Sequence, residues 1–131
     1  MTNSASKPNS APGILICGAY GMGNAGDEAI LDAIVGEMRE LSPDARITVM
    51  SRDPGEASAR LGVHAIHTLD VPAFLRACRS SALYINGGGS LIQNVTSRRS
   101  LEYYLYTIKT AKRLGCRVIM YGCGIGPVIS R

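Results

Sequence analysis

Three times in this chain a short apolar run stops at a cluster of glycines. Gly13-Ile14-Leu15-Ile16-Cys17 gives way to the segment Gly18–Gly26, Ala82–Ile85 to Asn86-Gly87-Gly88-Gly89, and Arg117–Tyr121 to Gly122-Cys123-Gly124-Ile125-Gly126-Pro127. Runs this short and this uniformly apolar suit strands buried on both faces. Between them the apolar spacing turns helical. Ala29, Ile30, Ala33, Ile34, Met38 and Leu41 recur over residues 27–41, with Asp27 and Glu28 in the first turn and Arg39 near the last, as the helix dipole favours. Ser42-Pro43 stops that helix. Two more strands are expected at Arg46–Met50 and Val63–Ile66, and further helices at Pro54–Leu61, at Asp70–Cys78 with Asp70 capping ahead of Pro72, and over about residues 100–114, closed by Gly115. Strands alternating with helices define an α/β fold with a doubly wound parallel sheet, Rossmann-like, joined by right-handed crossovers. In such a sheet all three glycine segments leave the same carboxyl edge, where these folds bind ligands. Glycine there lets backbone N–H groups approach an anion or a sugar closely.

Length and composition bound the rest. The 131 residues fit one domain, and an apolar content of 46% is enough for a real core. Residues 1–12, rich in Ser, Asn and Pro, are expected to form a disordered tail, and they lack the apolar stretch of a secretory signal. No run approaches the roughly 20 apolar residues of a membrane-spanning helix, so a cytoplasmic location is expected. Cys17, Cys78, Cys116 and Cys123 lack metal-ligand spacing and read as free thiols in a reducing compartment. The formal charge of +4 comes from scattered residues, which argues against nucleic acid as a partner. It still allows mild attraction to anionic small molecules or to an anionic membrane surface.

The first glycine segment, Gly18-Ala19-Tyr20-Gly21-Met22-Gly23-Asn24-Ala25-Gly26-Asp27-Glu28, contains a G-x-G-x-x-G pattern at Gly21, Gly23 and Gly26. A dinucleotide is disfavoured all the same. The pattern starts three residues late, and Asp27 and Glu28 occupy the helix N-terminus where a pyrophosphate would sit. Asn24, Asp27 and Glu28 are better suited to gripping sugar hydroxyls or taking a proton from one, although each could also simply cap the helix. In the second segment Gly87, Gly88 and Gly89 lead through a polar loop to Arg98 and Arg99 at the start of a helix. Cations are unfavourable there on dipole grounds, so the pair points to a bound phosphate or carboxylate; the bland reading is a solvated surface pair. His64 and His67 fall three apart on a strand and face opposite ways, so no metal is expected.

Taken in order, four blocks resemble the polysaccharide pyruvyl transferase family, in particular the bacterial branch that modifies S-layer-anchoring cell-wall polymers. They are Gly21-Met22-Gly23-Asn24-Ala25-Gly26-Asp27-Glu28-Ala29-Ile30-Leu31; Ser51-Arg52-Asp53-Pro54; Gly87-Gly88-Gly89-Ser90-Leu91-Ile92-Gln93 with Val95-Thr96-Ser97-Arg98-Arg99-Ser100; and Tyr121-Gly122-Cys123-Gly124-Ile125-Gly126-Pro127. The resemblance implies transfer of pyruvate, as a ketal, from phosphoenolpyruvate to a sugar. It implies no further cofactor and a sugar or lipid-linked glycan as acceptor; the modest positive charge, separately, allows peripheral contact with the inner membrane face. It also implies a GT-B-like pair of Rossmann-like domains. Residues 13–131 would then be the N-terminal one, and the chain a fragment lacking its C-terminal partner domain. Asn94 stands where relatives commonly have Asp, and Cys123 where they commonly have Gln, so an acid or base role at residue 94 is not expected here.

The resulting expectation is a substrate site of Gly23, Asn24, Gly87, Gly88, Gly89, Gln93, Arg98 and Arg99, with Asp27 or Glu28 handling the acceptor hydroxyl. Two alternatives stay open. One is an NADP-dependent oxidoreductase on Gly21, Gly23 and Gly26, with Ser51-Arg52 receiving the 2′-phosphate; the other is a glycan-binding half-domain without turnover.

Overall fold

The computed structural model describes residues 12–23, 25–87 and 98–121, with backbone alone for 98–101. The expected tail up to residue 11, Asn24, the loop 88–97 and the segment 122–131 lie outside the described residues. In chain order the elements are β1 (Gly13–Cys17), α1 (Ala25–Leu41), β2 (Arg46–Ser51), α2 (Pro54–Leu61), β3 (His64–His67), α3 (Val71–Ser80), β4 (Leu83–Gly87), α4 (Arg98–Arg113) and β5 (Arg117–Tyr121).

The five strands form one sheet in the order β3-β2-β1-β4-β5, every pair parallel. The chain winds outward from β1 to β3, then returns to place β4 on the other side of β1. Ile14 therefore pairs with Ile47 on one side and Leu83 on the other. This is the doubly wound arrangement the sequence predicts.

Alternation along the strands explains why β1 is apolar at every position. Ile14 and Ile16 face one core with Leu31, Ile34 and Val35 of α1 and Ala57 of α2. Leu15 and Cys17 face the other, with Phe74 and Cys78 of α3 and Tyr104 and Ala111 of α4. All five residues of β1 are buried. Fully burying side chains of this size contributes roughly 1.5–3 kcal/mol each, so the central strand is specified by packing on both sides.

Local chemistry sets the helix ends. Asp53 caps α2 by accepting the Glu56 N–H at 3.2 Å, and Asp70 caps α3 by accepting that of Ala73 at 3.2 Å. Pro54 and Pro72 sit in the first turns, where no N–H is needed. Helix α2 ends at Gly62 in a left-handed conformation, φ 67°. Element boundaries agree with the sequence reading to within about two residues. Three shifts touch the site: α1 starts at Ala25, β4 runs on to Gly87, and α4 starts at Arg98 rather than near residue 100, so both arginines belong to its first turn. His64 and His67 lie on β3, and the Nδ1 of His67 accepts the Leu69 N–H at 3.0 Å, shaping the turn after the strand. No described helix is long and apolar enough to cross a membrane.

Cys17, Cys78 and Cys116 are buried free thiols under α3 and α4; Cys123 lies outside the described residues. The Cys116 thiol donates to the Cys78 carbonyl at 3.2 Å. Burial pushes the Cys78 thiol up to about 12, with the neighbouring Cys116 and Cys17 adding to the effect. Burial likewise raises the phenols of Tyr84 and Tyr103. Each of these groups holds its proton more tightly folded than unfolded. Their contribution to stability is therefore complete below the unfolded thiol value of about 9 and drains away as pH rises towards 12. The urea midpoint should accordingly hold level between about pH 7 and 8 and fall steadily above about pH 9. A midpoint unchanged up to about pH 11 would contradict this account of the thiol–phenol core.

Candidate active site at the carboxyl edge of the sheet

Parallel pairing brings the carboxyl ends of all five strands to one edge. The winding reverses between β1 and β4, where Cys17 pairs with Asn86, and the crevice there is the switch point at which such sheets bind ligands. The loop leaving β1 enters this crevice and is fastened on three sides.

Tyr20 makes the first attachment. Its ring has no solvent exposure, and its hydroxyl donates to the carbonyl of Gly87, the last residue of β4, at 2.6 Å. Gly18 lies between ring and strand. A Cβ there would collide with both the Tyr20 ring and the Gly87 carbonyl, so only glycine fits. The second attachment is to the turn after β2, where the Arg52 N–H donates to the Tyr20 carbonyl at 3.0 Å. Gly21, at φ +80°, packs so tightly on this turn that a Cβ would come within 2.5 Å of Asp53 N and Ser51 Oγ. The third is Glu28, whose Oε2 accepts the Gly21 N–H at 2.7 Å while its Oε1 pairs with Arg60 at 2.9 Å. Arg60 also binds Asp32 and Glu56. One guanidinium on α2 thus holds two acids of α1 and one of its own helix.

Gly23 differs from Gly18 and Gly21. Its backbone is left-handed, φ +80°, yet among the described residues nothing lies within 4 Å of where a side chain would be. The described residues pack on the first two glycines and not on the third. Asp27 stands close by in the first turn of α1, half-buried, and burial raises its carboxyl above the usual range.

The other side of the crevice is set by how α4 is seated. Tyr84 on β4 donates to Thr107 Oγ1 at 2.9 Å, and Thr107 in turn donates to the Tyr104 carbonyl at 2.8 Å. Nearer the edge, the Tyr103 hydroxyl donates to the Thr68 carbonyl, in the turn after β3, at 2.6 Å. A crossover helix runs back against its strands, so this seating puts the α4 N-terminus, with Arg98 and Arg99, at the carboxyl edge.

The sequence-predicted site is thus partly assembled. Gly23, Asp27, Glu28, Gly87 and the backbone of Arg98 and Arg99 share one edge. Asn24, Gly88, Gly89 and Gln93 lie outside the described residues. Glu28 has both carboxylate oxygens engaged in bracing the loop. The same contact uses the Gly21 N–H that a dinucleotide would need, a further point against the nucleotide alternative. One residue acts here in a way the sequence reading does not foresee: Tyr20 locks loop to strand. A lone tyrosine among glycines was the available signal. Arg52, which the sequence reading weighs only as a 2′-phosphate contact, is exposed beside the same loop and adds a cation to the edge.

Fold and edge together define a Rossmann-like domain whose five strands end on one common edge. The family model for polysaccharide pyruvyl transferase matches residues 24–131, and the chain belongs to that family of transferases. No curated protein and no solved structure matches the chain.

The contrast between the glycines is testable by urea denaturation. Gly23→Ala should cost about 1–2 kcal/mol, the strain of a left-handed backbone alone. Gly21→Ala adds an overpacking clash of about 1–3 kcal/mol to the same strain. Equal costs at the two positions would refute the close packing of the loop on residues 51–53.

Proposed function

We propose that this domain serves the transfer of pyruvate, as a ketal, from phosphoenolpyruvate to a sugar of a cell-wall polysaccharide. S-layer-anchoring polymers are the acceptor class that the sequence blocks resemble. The match to the pyruvyl transferase family over residues 24–131 carries the reading.

The chemistry sets what the edge must supply. Two acceptor hydroxyls attack the carbon that bears the phosphate ester, the methylene carbon takes a proton, and inorganic phosphate leaves. Phosphate and carboxylate need cations and N–H donors, and a hydroxyl needs a base. Arg98 and Arg99 at the α4 start provide the first in this scheme, together with the N–H groups of Gly87, Gly88 and Gly89 and the side chain of Gln93. Arg52 adds positive charge across the crevice. Asp27 is the base in this scheme, because a carboxyl raised towards working pH accepts a proton more effectively than an ordinary one. Gly23 and Asn24 border the acceptor in this scheme, and no described residue crowds Gly23 where a sugar face would lie. Glu28 shapes the loop rather than taking part in proton transfer. No step requires a cofactor.

The test follows acceptor-dependent phosphate release by the protein that carries this sequence. Arg98→Ala and Arg99→Ala should each lower kcat/KM for phosphoenolpyruvate by an amount equivalent to about 2–4 kcal/mol. Asp27→Asn should lower kcat more than it raises KM, as loss of a base does, by about a hundredfold or more. Wild-type kcat/KM in both arginine variants would sink the anion site. Acceptor binding without any phosphate release would favour the glycan-binding reading instead.

A further inference from the structure

The sheet separates two helical layers of opposite charge. Over one face, α1 and α2 carry Asp27, Glu28, Asp32, Glu37, Glu40 and Glu56 against Arg39 and Arg60, six carboxylates to two arginines, net −4. Over the other, α3 and α4 carry Arg76, Arg79, Lys109, Lys112 and Arg113 against Glu102. That is five cations to one carboxylate, net +4 before Arg98 and Arg99 are added. The overall charge of +4 conceals this division.

The two layers also treat their charges differently. Three carboxylates of the acidic layer are gathered around Arg60. All five cations of the basic layer are exposed, and among the described residues none of them forms an ion pair. Apolar side chains accompany them: Leu105 is 42% exposed, Tyr106 47% and Val71 46%. The Tyr106 ring lies 6.3 Å from that of Phe74, so α3 and α4 adjoin at this point and their apolar residues are contiguous. A groove of about 430 Å³ runs along α4, lined by Glu102, Leu105, Tyr106, Lys109, Thr110 and Arg113.

We propose that the outer face of α3 and α4 is a docking surface for an anionic lipid bilayer. Long cationic side chains around an aliphatic and phenolic strip match the chemistry of a membrane interface. The ammonium and guanidinium groups reach lipid phosphates, while Leu105 and the Tyr106 ring enter the boundary between head groups and acyl chains. The partner is a surface rather than a pocket ligand, because the charges are spread over two helices and the groove lies along the outer side of α4 alone. Docking this way lays the helices along the bilayer and leaves the carboxyl edge of the sheet at its side, open to a substrate. The proposal does not depend on the identity of the pyruvyl donor.

The test is co-sedimentation of the full chain with phosphatidylcholine vesicles, with and without phosphatidylglycerol. Binding is expected only with phosphatidylglycerol. It should fall sharply between about 0.1 M and 1 M salt, where the screening length drops from about 10 Å to 3 Å. Lys109→Gln and Lys112→Gln should each lower the partition coefficient about fivefold, and Leu105→Ser should lower it too. Glu40→Gln, on the acidic layer, should leave it unchanged. All four positions are exposed, and an unaltered far-ultraviolet dichroism spectrum checks that each variant stays folded. Equal binding to neutral vesicles would overturn the proposal, as would binding to heparin or RNA without any binding to vesicles. So would a loss of binding that tracks Glu40 rather than the lysines. No arm uses phosphoenolpyruvate, so failure here leaves the proposed transfer standing.

Discussion

The hydroxyl of Tyr20, with no access to solvent, donates at 2.6 Å to the carbonyl of Gly87 and so joins the first glycine loop to the strand beyond the switch point. The geometry of the edge depends on that bond. Gly87 ends a strand, and its carbonyl has no neighbour from β1 to accept from at that level, because the β1–β4 pairing stops at Cys17 and Asn86. A buried carbonyl needs a partner, and the phenol supplies one from the loop itself. The ring then fills the space over Gly18, which must be glycine for that reason, and the chain turns away towards Arg52 and α1. The backbone at Gly23 and the first turn of α1 inherit their positions from this contact.

A second constraint acts from outside. Arg60 ties α2 to α1 through Glu28 and Asp32. Individually, partly exposed pairs contribute little, typically under about 1 kcal/mol. Their value here is in orientation. Held by Arg60 on one oxygen, Glu28 presents the other to the Gly21 N–H and fixes the loop from its helical side. Its neighbour Asp27 lies in a half-buried position where burial raises its carboxyl, so adjacent acids in one helical turn meet different surroundings. The two differ in environment, not in chemistry, and a helix that turns about 100° per residue is enough to separate them.

The basic and acidic layers arise from the same winding. In a doubly wound sheet the first two crossovers lie on one face and the next two on the other. A charge difference between the two halves of the sequence therefore becomes a charge difference between two faces. The core has no share in this asymmetry; both cores are apolar, and the helices differ only on their outer sides.

The sequence alone determined the strands, the helices, their order and the single edge that collects the glycine loops. Each of these rests on a local signal: a continuous apolar run, a 3.6-residue period, an Asp before a Pro, or a glycine after a strand. Asp53 and Asp70 cap helices because their own neighbours present the N–H groups, and no distant contact is needed. The four motif blocks made the family legible as well. Tertiary structure decided how each glycine is packed, since Gly18 meets residue 87, Gly21 meets residues 51–53, and Gly23 meets nothing among the described residues. It also decided that Glu28 braces while Asp27 remains at the crevice, and that five scattered cations share one face. Each of these depends on residues that are far apart in the chain and adjacent in space, as Glu28 and Arg60 are. No period or local motif records such a pairing, because only the closed sheet brings the partners within hydrogen-bonding distance.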